Sequence, residues 1–330
     1  MKKGVFLISL DFELFWGVRD KFSLQQYGNN ILAVHTVIPR LLALFSTYGI
    51  HATWATLGFL FFSDEKQLKT ALPEVLPDYE NEILNPYPYL DTLDLADKRY
   101  HFAPELIAMI HATAGQEIAS HTFSHYYCLE KGQNKDSFAS DIASSVAVSL
   151  NTVGISPTSI IFPRNQLNTN YLDLLTKQGI LCYRGNEESY FHIPDNTAAS
   201  KLKVLFKRAV RLFDSHIRIL GHFTYSTKAC DEGGIFNFRA SKYLRPFNKT
   251  LFFLEPLKRN RIKRSMTKAA KTGEVYHLWW HPHDFGKHSD QNLASLEKLL
   301  KHYQKLQKKY GMESMNMGEL AHKLHRVKEV

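Results

Sequence analysis

The stretch EIASHTFSHYY carries His121 and His125 separated by three residues, directly after a short apolar run. Two neutral imidazoles at this spacing form a metal-ligand pattern. With 16 histidines in 330 residues, chance placement supplies about one such pair. A second pair, His277 and His281, is present. The pattern gains meaning only if other residues complete a coordination sphere and move protons. Asp11 and Glu13 close the run VFLISLDFE. A carboxylate placed after largely apolar residues is costly to bury unless it is paired or bound to a metal. Two apart on a regular strand, both side chains face one side. Arg164 follows TSIIFP, and His281 and His283 close VYHLWWHPH. One carboxylate and two imidazoles make a three-ligand site for zinc or a similar divalent ion, with positions open to water and substrate. Such an ion polarises a carbonyl and lowers the pKa of bound water to about 7. A second carboxylate then serves as general base, and a histidine across the pocket as acid toward the leaving group. The chemistry is hydrolysis of an amide or ester. Each residue taken singly has an ordinary alternative: a core or surface histidine, or, for Arg164, an ion-pair partner.

These residues need a scaffold that brings them together. VFLISLDFE reads as a buried parallel strand, and NILAVHTVIPRLLALFSTYG as a helix ending at Gly49. HATWATLGFLFF reads as a strand, PELIAMIHATAG as a helix and QEIASH as a strand. SFASDIASSVAVSLNTVG and TSIIFP, then NYLDLLTKQG and ILCYRG, repeat the helix–strand alternation. The succession of βα units predicts a parallel sheet whose active residues sit at the C-terminal strand ends, converging in a barrel. Two stretches break the alternation: 63–102, rich in Pro, Tyr, Asp and Asn, reads as an insertion or lid, and 186–250 shows no clean period. A basic helix at about 256–272, the strand VYHLWWH and a charged helix in NLASLEKLLKHYQKLQKKYG follow. No internal repeat or linker is visible, so a single domain over 1–330 is expected.

The composition, 44% hydrophobic and 22% charged, is that of an ordinary globular chain. Cys128, Cys182 and Cys230 are widely spaced and odd in number, which argues against a disulfide framework or thiolate zinc site and predicts a reducing compartment. The N-terminal apolar run is broken early by Asp11 and Glu13, so it reads as a strand and not as a signal peptide. No stretch approaches the roughly 18 apolar residues of a membrane span. A cytoplasmic location is expected, with peripheral contact to the inner membrane face as an option. The net charge of +9 is concentrated in 201–218 and 255–274. The plain reading is solvated helix faces; an anionic membrane or phosphate-bearing substrate is the alternative. No nucleic-acid module is recognisable, and no nucleic-acid partner is expected.

The ordered set SLDFE, HTFSH, FPRN and LWWHPH resembles the polysaccharide deacetylase, or NodB-homology, family, carbohydrate esterase family four. The resemblance runs from the first strand to the terminal helix. It implies a distorted (β/α)7-type barrel and metal-dependent removal of acetyl groups from sugars. It assigns Asp11 as base and Glu13 as metal ligand, in the spaced Asp-x-Glu form of divergent members, and His121 and His125 as the other ligands. Zinc is the implied metal. Arg164 is placed beside the base, and His281, with His283 as second candidate, is the acid. The aspartate that the family pairs with this histidine has no match that can be read from the sequence. Trp16, Arg184, Asn186 and His283 are the expected substrate contacts. The expected partner is an N-acetylated sugar of a glycan or glycan precursor, lipid- or nucleotide-linked. A deformylase or cyclic amidohydrolase, or a glycan-binding protein with a degenerate site, are the competing readings.

Overall fold

The fold is described from a computed structural model covering residues 3–91, 93, 95–187, 207, 210, 214 and 221–328. Its centre is β1, Val5–Phe12, every residue of which is buried. A strand covered on both faces must be apolar throughout, which explains VFLISLDF. The other strands are β2 (Ala52–Thr56), β3 (Gln116–Ser120), β4 (Ser159–Ile160), β5 (Cys182–Tyr183), β6 (Asp231–Glu232), β7 (Ile235–Asn237), β8 (Lys242–Tyr243), β9 (Val275–Trp280) and β10 (Glu313–Met315). They form one sheet in the order β6-β7-β5-β4-β3-β2-β1-β9-β8, with β10 paired to the start of β1. All pairings are parallel except β6–β7. The sheet is curled into a half-barrel. Its curvature is measured by a side-chain contact: Arg184, just beyond β5, reaches Asp11 on β1 across three intervening strands.

The connections are the expected helices. Leu24–Tyr48 begins with a reciprocal Ser23–Gln26 capping box and ends at Gly49, whose φ of 62° favours glycine. This helix corrects the expectation that no segment has the character of a membrane span, because it is long and apolar enough to cross one. Its pattern is nonetheless that of a core helix. Ile31, Val34, Ile38, Leu41, Leu42 and Phe45 form a buried stripe, while Gln26, Arg40 and Thr47 stay outside. Residues 63–102 hold short helical turns anchored by buried Leu68, Tyr79, Leu84, Tyr87 and Leu90. In 186–250 the described residues include the β6–β7 hairpin, whose turn is Gly233-Gly234 with φ values of 68° and 105°. The Gly-Gly pair is its sequence signal. Helices Glu255–Thr272 and Ser289–Tyr310 lie where expected, and a last helix, Met317–Lys328, follows β10. The basic stretch 201–218 lies, except for residues 207, 210 and 214, outside the described residues.

Candidate active site

Because the major strands are parallel, their C-terminal ends share one rim, and the polar residues of the sequence gather there. Glu13 follows β1, and His121 follows β3. The Nε2 atoms of His121 and His125 lie 3.1 and 3.0 Å from Glu13 Oε2, and all three residues are buried. His121 Nδ1 donates to the Ile161 carbonyl at 2.8 Å, which in the neutral ring leaves the Nε2 lone pair facing Glu13. Among the described residues the His125 Nδ1 atom has no hydrogen-bond partner. Burial pushes the His125 pKa down to about 4, against the opposing pull of Glu13. For Glu13 burial acts upward, but the neighbouring His281, His121 and His125 outweigh it and hold the carboxyl well below its usual range. Three electron-pair donors within 4.8 Å of one another, with the His125 imidazole kept neutral by burial, fit a divalent cation. Gly17 makes room for this arrangement, since a Cβ there would lie 2.0 Å from the Glu13 carboxyl carbon.

The HTFSH loop adopts an unusual backbone, with Thr122 and His125 at φ of 64° and 63°. Non-glycine residues persist there only when surrounding bonds enforce it, at a cost of about 1–3 kcal/mol each. Ser120 Oγ accepts from Thr122 N, and Thr122 Oγ1 from Tyr126 N. The Asp141 carboxylate accepts from Phe123 N at 2.7 Å, from Ser124 N at 3.1 Å and from the Ser124 hydroxyl. Asp141 is fully buried on the inner face of helix Lys135–Val153 beside Phe138 and Ile142. An acid in helical register with Phe138, Ile142 and Val148 was the signal that could have marked it.

Asp11 is gripped by Arg184. Its two carboxylate oxygens accept from the two guanidinium ends at 2.6 and 2.8 Å, a bidentate pair with both partners buried. Arg184 also donates to Ser9 Oγ and Asn165 Oδ1, and lies 4.2 Å over the Trp279 ring. Burial alone would raise the Asp11 pKa, yet the attraction and hydrogen bonds of Arg184 bring it below the ordinary value. This corrects two expectations. Arg164 does not touch Asp11; its guanidinium pairs with Asp20 and lies 4.7 Å over Tyr127. Arg184, expected as a substrate contact, holds the Asp11 carboxylate instead. Both FPRN residues Arg164 and Asn165 have positive φ, 53° each, and the tight turn sends Asn165 rather than Arg164 toward Arg184.

His281 completes the cluster. Its Nε2 lies 3.8 Å from both Asp11 Oδ2 and Glu13 Oε1, and its Nδ1 donates to Asp284 Oδ2 at 2.9 Å. The Asp284 carboxylate also accepts from the Tyr243 hydroxyl and the His281 backbone N–H. Asp284 is thus the carboxylate partner that sequence matching missed, although its place three residues after His281 in HPHDF was the available clue. Burial lowers the His281 pKa, but Asp284, then Glu13 and Asp11, overcome it and raise it to about 9. His283 stacks on His281 with ring centroids 4.8 Å apart and is buried. Its pKa is lowered by burial and by the charge of His281. His281, His283 and Asp284 also present donor atoms within 4.8 Å of one another, but a proton held between His281 and Asp284 suits an acid better than a ligand pair. Asn186 is half-buried and donates to the Asn165 carbonyl. Trp16 is not at the rim: it is 1% exposed, donates to the His101 carbonyl and packs edge-on against Phe59 and Tyr89. Its bulk supports the site from the core.

The pairing of His281 with Asp284 sets a pH dependence. If His281 donates a proton, activity falls as pH rises through its pKa, near 9 in the free protein. Asp284→Asn keeps a hydrogen-bond acceptor and removes the charge, so the alkaline limb of kcat/KM should move toward neutral pH. A cation held by Glu13 would cancel that residue's contribution and shift the parent limb the same way. A profile measured in both proteins checks this; superimposable alkaline limbs would remove His281 from the role of acid.

Residues 27–183 match the family model for polysaccharide deacetylase. This stretch is similar to members of that family. It includes His121, His125 and Arg164, whereas Asp11, Glu13, Arg184 and His281 lie outside the matched residues. The deacetylase resemblance also extends to solved structures along nearly the whole chain. A candidate polysaccharide deacetylase of Mycobacterium smegmatis superimposes with a TM-score of 0.59 at 15% identity, covering 99% of this chain and 92% of that one. One of Pseudomonas aeruginosa PAO1 gives 0.57 at 12% identity, with coverage of 98% and 92%. The PuuE allantoinase gives 0.53 at 11%, covering 98% and 91%. At these identities the likeness is one of fold, the deacetylase barrel. No curated protein sequence matches the chain.

Proposed function

We propose that the protein is a metal-dependent hydrolase that removes the acetyl group from an N-acetylated sugar of a glycan or glycan precursor. The family of residues 27–183 supports deacetylation of a carbohydrate. The observation that carries the finer reading is the meeting of three pieces at one rim: a His–His–Glu donor set, a carboxylate held by an arginine, and an imidazole held by a carboxylate. Glu13, His121 and His125 would hold the ion, zinc by the character of the donors, and when bound it would polarise the acyl oxygen and make water acidic. Asp11, kept ionised by Arg184, accepts the proton of the attacking water. His281, kept protonated by Asp284, delivers a proton to the departing amine nitrogen. The C–N bond breaks, a C–O bond forms, and acetate and a free amine leave. Acid and base thus stand 3.8 Å apart with opposite protonation states, each fixed by its own partner.

The reading includes a cytoplasmic setting and a lipid- or nucleotide-linked precursor as substrate. Three buried free cysteines, Cys128, Cys182 and Cys230, agree with a reducing compartment. The test is to incubate zinc-loaded protein with a panel of N-acetylated and N-formylated sugars and measure released acid. Acetate release supports the proposal. Formate alone would make the protein a deformylase, and no acid from any member would leave a glycan-binding site.

A further inference from the structure

The segment between β8 and helix Glu255–Thr272 exposes unusual side chains. Phe252 and Phe253 are adjacent and 63% and 61% exposed, and Leu257, one helical turn on, is 44% exposed. A contiguous apolar edge of this kind is a contact surface in search of a partner. β8 is parallel to β9, so the chain leaving Tyr243 emerges at the end of the sheet where His281 and Asp284 lie. The aromatic pair therefore stands at the same end of the fold as the candidate active site.

From there the helix runs back along the sheet with its outward stripe becoming cationic. Leu257, Asn260, Arg264 and Lys271 are exposed, with Lys263 and Lys268 partly so. Asn260, Lys263, Arg264, Lys268 and Lys271 line, with His302, a groove of about 530 Å³ against helix Ser289–Tyr310, which itself exposes Lys298 and Lys305. Lys263 has its pKa lowered by burial and by the positive charges of Arg259, Lys305 and Lys298. Lys268 pairs with Glu274. Glu255, the acid at the start of the helix, is buried against Lys258. The face thus joins exposed aromatics to a local excess of positive charge, which is the chemistry of an interfacial membrane contact. Aromatic rings suit the headgroup boundary, and Lys and Arg near a bilayer surface are drawn to anionic lipid.

We propose that Phe252, Phe253, Leu257 and the basic face of helix Glu255–Thr272 dock the protein on a bilayer rich in anionic phospholipid. The docked orientation lays helix Glu255–Thr272 along the lipid surface, with its aromatic start toward the site's end of the sheet. This inference concerns a surface separate from the catalytic groups and stands or falls apart from the deacetylase reading.

The experiment is cosedimentation of the full chain with vesicles of phosphatidylglycerol and phosphatidylcholine, and with pure phosphatidylcholine, at low and high salt. Binding to the anionic vesicles alone, weakening as salt rises, is expected, since surface charges are screened within about 8 Å at physiological ionic strength. Phe252→Ser/Phe253→Ser and, separately, Arg264→Glu/Lys271→Glu should each reduce binding; neutralising one surface cation costs about fivefold in affinity, and reversal costs more. Unchanged circular dichroism and Tm establish that both variants fold. Equal binding to the two lipids, no binding to either, or parental binding by both variants would overturn the proposal. So would retention on duplex DNA at physiological salt without vesicle binding, which would give the cations to a nucleic acid.

Discussion

Asp11→Asn should bind zinc as the parent does and lose about 10²–10⁴-fold in kcat, the usual worth of a positioned general base. Glu13→Ala should fail at the earlier step, binding the ion poorly. Two carboxylates two residues apart thus have separable fates, because their surroundings differ. Glu13 Oε2 lies 3.1 and 3.0 Å from two imidazole nitrogens, so its charge serves a cation placed among them. Both oxygens of Asp11 are taken by Arg184, and among the described residues no imidazole nitrogen approaches it closer than the 3.8 Å of His281. Isothermal titration of zinc into the variants, together with acid release, separates the roles. Loss of zinc binding in the Asp11 variant with retention in the Glu13 variant would reverse the assignment.

Arg184→Met should be the most destabilising substitution at the site, by about 3–5 kcal/mol, the range for breaking a buried pair by removing one partner. The pair is dry: the Arg184 side chain is 0% and that of Asp11 5% exposed. The sign of the pH dependence follows from Asp11. In the parent its folded pKa lies below the ordinary value, so the pair contributes stability above the unfolded pKa and loses it as pH falls through the folded one. In the variant the same carboxylate is buried without its cation, and its folded pKa rises above the unfolded value. The penalty is therefore greatest at neutral pH and shrinks on acidification, when Asp11 takes up a proton. Denaturant unfolding of both proteins from neutral to acid pH measures this. A second substitution, Asp11→Asn, should recover much of the lost stability without restoring activity. A penalty independent of pH and untouched by Asp11→Asn would mean that Arg184 acts through packing on Trp279 and not through the carboxylate.

Arg184 and Asp284 also mark the boundary between what sequence and fold decide. The sequence alone determined what is local in the chain. VFLISLDFE must be a buried strand, since only burial on both faces accounts for so continuous an apolar run. The alternation of apolar runs with helical periods implies parallel βα units, and parallel strands place Glu13, His121 and His281 at one rim whatever the details of the loops. The convergence of Glu13, His121 and His125 was therefore legible from spacing, element order and family resemblance. Partner choice was not. Arg164 and Arg184 each follow a short strand, β4 and β5, and nothing in their neighbourhoods distinguishes them. Only the curl of the sheet, which brings β5 opposite β1, and the turn at Arg164 and Asn165 decide which guanidinium meets Asp11. Trp16 likewise looks like a rim residue from its distance to Glu13, but the helical turn Leu14–Gly17 carries it into the core. Asp141 acts from a helix that the sequence could place only as a scaffold. In each case the deciding quantity is a distance between segments remote along the chain, set by strand order, register and curvature, which no local pattern of residues encodes.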